Sequence, residues 1–158
     1  MADIFEVLKA DHDEHRRMLE ELADAKRKDR GELFEAFRVE VSAHAAAEEE
    51  SLYATMLGMP DLRDDARHSV SEHKEIDDFL GELNDMDMSS SGWLVKFKEM
   101  RHRYEHHIDE EEEEMFPAAA KELSAAEEEE LGKIFEKRKP KELERAEAEP
   151  PSAEEERE

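Results

Sequence analysis

The chain has 158 residues with 23 Lys+Arg against 47 Asp+Glu, a formal charge of −24 with His neutral. So acidic a surface repels phosphate backbones and anionic lipid, and no segment approaches the ~20 apolar residues of a membrane span, which argues against nucleic-acid and membrane partners and for a cytoplasmic protein. Zero Cys excludes a disulfide framework, a thiolate nucleophile and Cys-type metal sites.

Few Gly and Pro interrupt a composition rich in helix formers, so the fold is expected to be all-α. The first apolar pattern is Phe5, Leu8, Leu19 and Leu22, and it stops in the charged run 26–31. The second runs Leu33, Phe34, Phe37, Val41, Leu52 and Met56 and stops at Gly58–Met59–Pro60. Asp61 is the expected N-cap of a third helix carrying Val70, Ile76, Leu80 and Leu83. The stretch 84–92 is a loop by composition. A fourth helix carries Trp93, Phe97, Met100, Tyr104, Ile108 and Met115 and is expected to end at Phe116–Pro117. Ser124 and Glu127 spell a capping box that opens a short fifth helix through Leu131, Ile134 and Phe135. The expected architecture is an antiparallel up-and-down four-helix bundle with a short fifth C-terminal helix, one domain over 1–138. Residues 139–158 read as a disordered acidic tail.

Polar residues interrupt the apolar stripes of all four long helices. Residues i, i+3, i+4 and i+7 share a helix face. His12 and His15 fall on the stripe of the first helix, His44 and Glu48 on that of the second. His73 falls on the third, and His107 and Glu111 on the fourth. The spacing His-x-x-x-Glu occurs four times, starting at His44, His68, His106 and His107, and phase separates the four. The pairs at 44/48 and 107/111 point inward; those at 68/72 and 106/110 lie off the stripes and are expected to face water. His102 is likewise read as surface. Glu49 and Glu112 are read as solvated.

Height gives an independent test. In an antiparallel hairpin, residues equidistant from the turn are level. The midpoint of His12 and His44 is 28; that of His44 and His73 falls between 58 and 59; that of His73 and His107 is 90. All three lie in the turns assigned above. The chain also repeats: Asp11–His12 and Glu72–His73 are 61 apart, and HAAAEEESLY at 44–53 aligns with HIDEEEEEMF at 107–116, 63 residues on. Two helical hairpins each give one His and then His-x-x-x-Glu, a symmetric pocket around a pseudo-twofold axis.

Two carboxylates buried among imidazoles without Lys or Arg on the stripe are costly unless a cation joins them. Imidazole nitrogen and carboxylate oxygen suit Fe, Zn and Mn, and two carboxylates can bridge two ions. The candidate metal ligands are therefore His12, His44, Glu48, His73, His107 and Glu111. A hydrogen-bonded His/Glu network around water is the metal-free alternative.

The order H…HxxxE…H…HxxxE, with the aromatic endings Leu52–Tyr53 and Met115–Phe116–Pro117, resembles the hemerythrin-like HHE cation-binding family over roughly residues 4–117. The resemblance implies a non-haem di-iron centre, two Fe ions bridged by Glu48 and Glu111, that binds O2 or related small ligands. Oxygen-carrying members have a second His one turn after the third-helix ligand; this chain has Asp77 there. His15, one turn from His12, would restore the nitrogen count, so His15 and Asp77 are additional candidates. The leading expectation is an iron protein that binds or senses O2, peroxide or nitric oxide, with Zn or Mn as alternative metals. Peroxide decomposition or another redox activity is a subset of it, with no catalytic acid or base identifiable in the sequence. The alternatives are metal storage or buffering without gas chemistry, and a metal-free acidic helical interaction module.

Overall fold

The computed structural model describes residues 2–148, which are helical apart from short connections. Helix α1 (Ile4–Asp24) opens on a capping box: Asp3 accepts from the Glu6 amide at 2.9 Å, and the Glu6 carboxylate accepts from the Asp3 amide at 3.4 Å. Its buried face is Ile4, Phe5, Leu8, His12, His15, Leu19 and Leu22. Helix α2 (Arg27–Glu48) follows after only two residues, so most of the charged run expected as a turn is instead the first turn of α2. Lys and Arg are good helix formers, and charge on a solvated face does not stop a helix.

At Glu49–Tyr53 the helix widens into one π turn before the short α3 (Ala54–Leu57). Helix α4 spans Arg63–Asp85, and its N-cap position is Leu62, not Asp61. No side chain caps it; the carbonyl of Met59 accepts from the amides of Leu62 and Arg63 instead. Helix α5 (Ser91–Glu110) starts at Ser90, whose hydroxyl accepts from the Trp93 amide. It too widens into a π turn, Glu111–Met115, and continues as α6 (Phe116–Glu122). Pro117 therefore does not end the helix as expected. It stands at the start of α6, directly after the π turn, and the helix runs on through it.

The expected capping box at Ser124 and Glu127 is present, with bonds of 2.8 and 3.1 Å. The helix it opens, α7 (Ala125–Ala148), is not short: it runs ten residues beyond the expected boundary at 138 and passes through Pro140. Pro140 is exposed, so water can satisfy the carbonyl it leaves free. The rest of the expected tail, 149–158, lies outside the described residues. The molecule is an all-α bundle in which α7 lies along α2 and α1. Among the described residues no helix is long and apolar enough to cross a membrane.

The core forms two apolar clusters. One gathers Ile4, Phe5, Leu8, Leu52, Met56, Phe116 and Phe135. The other gathers Leu19, Leu22, Phe34, Phe37, Trp93, Phe97 and Tyr104. Along α1 and α2 the boundary between them is polar: His12 and His15 separate Leu8 from Leu19, and His44 separates Val41 from Ala47.

Candidate metal centre

The six inward residues meet at that boundary. His12, His44, Glu48, His73, His107 and Glu111 are all buried. Each carboxylate faces two imidazoles from different helices. Glu48 Oε1 lies 3.6 Å from His44 Nε2 and 3.3 Å from His73 Nε2. Glu111 Oε1 lies 3.1 Å from His107 Nε2 and 3.5 Å from His12 Nε2. With metal–ligand bonds of ~2.0–2.2 Å, neighbouring donor atoms of one ion stand roughly 3 Å apart.

The opposite nitrogen of every one of these imidazoles is engaged. Nδ1 of His12 donates to Glu112 at 2.7 Å, that of His44 to Asp11 at 2.8 Å, that of His73 to Glu49 at 2.7 Å and that of His107 to Glu72 at 2.8 Å. An ionised carboxylate only accepts, so Nδ1 of each ring carries a proton and Nε2 is the nitrogen turned to the centre, where a bound cation would take its lone pair. Nε2 of His12, His44 and His107, both oxygens of Glu48 and Oε1 of Glu111 are buried without a hydrogen-bond partner among the described residues. Buried polar atoms are rarely left so, and six converging ones fit cations.

The sequence reading missed these four supporting carboxylates. Glu49 and Glu112, read as solvated, are half-buried, and Glu72 is buried although His68 beside it is exposed. The repeat carried the signal: Asp11 and Glu72 each precede the first His of a half, and Glu49 and Glu112 each follow its Glu.

Electrostatics follow the geometry. Burial opposes charging His12 and His107, but Glu111 beside both, with Glu112 and Glu72 behind them, outweighs it and pushes both up to about 9. Burial pulls His44 down to about 3 against the opposing hydrogen bond it donates to Asp11. Burial and the neighbouring Glu111 hold the Glu48 carboxyl well above its ordinary value. Glu111 goes the other way: burial raises it, but His107 and His12 hold it well below. The Tyr53 hydroxyl also donates to Glu111 Oε2.

The two additional candidates stand apart from this set. His15 uses both nitrogens: Nε2 donates to Glu40 and Nδ1 accepts from the Tyr104 hydroxyl, each at 2.7 Å. It has no lone pair left for an ion. Asp77 is half-buried on α4 and lines a cavity beside His44, His73 and Tyr104, and it belongs to none of the groups of donors close enough to share an ion among the described residues. Of the other histidines, His68, His102 and His106 are exposed as expected.

A family model, the hemerythrin HHE cation binding domain, matches residues 3–119. The chain belongs to the hemerythrin HHE family. The solved structure of a hemerythrin HHE cation binding domain-containing protein from Mycobacterium kansasii is similar to it. The two are 26% identical with a TM-score of 0.82, over 94% of this chain and 91% of that one. No curated protein matches it significantly. The family match covers both HHE half-sites, while α7 lies beyond it.

Proposed function

We propose that this hemerythrin-family protein holds two iron ions through His12, His44, Glu48, His73, His107 and Glu111 and uses them to bind or sense O2, peroxide or nitric oxide. The observation that carries the reading is the set of buried Nε2 and carboxylate atoms without protein partners, backed on the far side of every ring by a carboxylate. Such backing fixes the tautomer and strengthens the imidazole as a ligand. Six nitrogen and oxygen donors exceed what one tetrahedral ion uses and suit two ions of higher coordination. When bound, the pair would supply redox-active open positions to a small ligand.

The space beside two of these ligands is small. A cavity of about 20 Å³ between His44, His73, Asp77 and Tyr104 has room for one water-sized molecule. Ser42, Ala45, His73 and Asp77 also line a wider groove of about 380 Å³, which Glu142 and Arg145 of α7 border. A diatomic or peroxide fits a cavity of the smaller size; a bulky organic substrate does not.

The test is elemental analysis of protein loaded with Fe(II) and rinsed with a weak chelator. The expected result is two retained irons per chain, lost in part or whole in His107→Ala. Near-ultraviolet absorption of the loaded protein is expected to change on adding nitric oxide, O2 or peroxide. One retained iron that excess Fe(II) does not raise removes the di-iron reading; a spectrum indifferent to all three additions removes the gas reading.

A further inference from the structure

Two of the four His-x-x-x-Glu pairs give no inward donor to the buried centre, and the fold brings these two together. His68 and Glu72 lie one turn apart on α4; His106 and Glu110 lie one turn apart on α5, its antiparallel neighbour. His68 Nε2 is 3.5 Å from Glu72 Oε2 and 3.3 Å from Glu110 Oε1. His106 Nε2 is 3.2 Å from Glu110 Oε2. Donor atoms of His68, Glu72 and Glu110 all lie within 4.8 Å of one another. Beside them is a depression of about 200 Å³ lined by Asp65, His68, Glu110, Glu114 and Met115.

Glu72 separates this cluster from an ordinary patch of surface charge. It is only 6% exposed. One oxygen accepts from His107 Nδ1 at 2.8 Å, and the other turns outward to His68. A surface His–Glu pair is worth ~0–1 kcal/mol at most, which gives no reason to aim a buried carboxylate at it. A cation does.

We propose that His68, Glu72, His106 and Glu110 form a second metal site, at the surface, for a divalent transition cation. Two imidazole nitrogens and two carboxylates are the donor set of Zn(II), Fe(II) or Mn(II); His68, Glu72 and Glu110 already converge, and His106 reaches the group through Glu110. The chain's charge of −24 concentrates cations at its surface. Glu72 ties the two sites together, since the carboxylate that would meet the outer cation also fixes the ring of His107.

The experiment titrates Zn(II) into the full chain already loaded with iron, by isothermal calorimetry, with elemental analysis before and after. The parent is expected to take up one Zn(II) per chain and keep its iron. The double variant His68→Ala with His106→Ala removes two exposed rings. It is expected to fold, to keep its iron and to lose the zinc event; Glu110→Gln is expected to weaken that event strongly. No zinc uptake by the parent, an unchanged isotherm in the double variant, or zinc uptake matched by iron release each overturns the site. Failure of the buried di-iron reading shows separately, as missing iron in parent and variant alike.

Discussion

Glu48 and Glu111 are related by the internal repeat, yet their surroundings differ, at one place by a hydroxyl. Tyr53 stacks on His73, and Phe116, 63 residues on, stacks on His12 in the equivalent place. Tyr53 donates to Glu111; Phe116 has nothing to donate to Glu48. In metal-free protein burial and the neighbouring Glu111 raise the Glu48 carboxyl, whereas His107 and His12 hold Glu111 down against burial. For Glu48, folding raises the pKa above its ordinary 4.5, so its penalty is absent below that pH and grows as pH rises toward the folded value. For Glu111, folding lowers the pKa, so its contribution is present above 4.5 and is lost as pH falls through the folded value. Metal-free Glu48→Gln is expected to melt higher than the parent at neutral pH. Glu111→Gln should melt lower, by about 1.5–3 kcal/mol for the charge-assisted bonds it weakens. Thermal melts in chelator across pH check both signs, and matching shifts in the two variants would refute the asymmetry.

Elements are held apart or together by a few close approaches, and Gly132 is the tightest. A Cβ there would lie 2.9 Å from the carbonyl oxygen of Ala2 and 3.2 Å from the backbone of Asp3 and Ile4. Backbone cannot yield as a side-chain tip does, so α7 or the start of α1 must move. Gly132→Ala is expected to lower stability by about 1–3 kcal/mol despite the better helix propensity of Ala, read as a lower midpoint in urea. The long helices were legible in sequence because their buried positions repeat with the helix period, which also fixed the phase that separates His107 from His106. Their ends were less so. The π turns at Glu49–Tyr53 and Glu111–Met115 were not legible at all: each adds about one residue to a turn whose apolar members, Leu52 and Met115, still fit an α stripe. The supporting carboxylates were hidden by abundance, since in so acidic a chain a Glu beside a ligand carries little information. The second half of α7 was hidden because only Ala146 is buried in its last ten residues, leaving no apolar stripe to read.

At the scale of the whole molecule, α7 is more than a cover. Phe135 packs edge-on against the ring of His44 at 5.5 Å. One turn on, Lys139 Nζ reaches both Asp11 and Glu40 at 2.7 Å. Asp11 accepts from His44, and Glu40 accepts from His15, which holds Tyr104. A single ammonium on the last helix therefore bridges the carboxylate that orients His44 and the one that holds the neighbouring His15. Burial lowers the Lys139 pKa, but Asp11 and Glu40 outweigh it and raise it, so the cation persists at neutral pH. Lys139→Met keeps most of the stem and removes the charge. Asp11 and Glu40 then lose the cation that ties them together, so the carboxylate that orients the His44 ring is no longer held in place. The iron-loaded variant is expected to release iron to a chelator roughly 10–100-fold faster than the parent, the range typical of losing an outer partner. Leu131→Ala is the control. It loosens the docking of α7 by removing buried apolar surface, at about 2–5 kcal/mol, and leaves the ammonium in place. If Lys139 acts by positioning the outer carboxylates, its variant releases iron faster than Leu131→Ala does while melting higher without metal. If release follows the metal-free melting temperature across both variants, α7 contributes through packing alone, and its charge has no separate part in holding the centre.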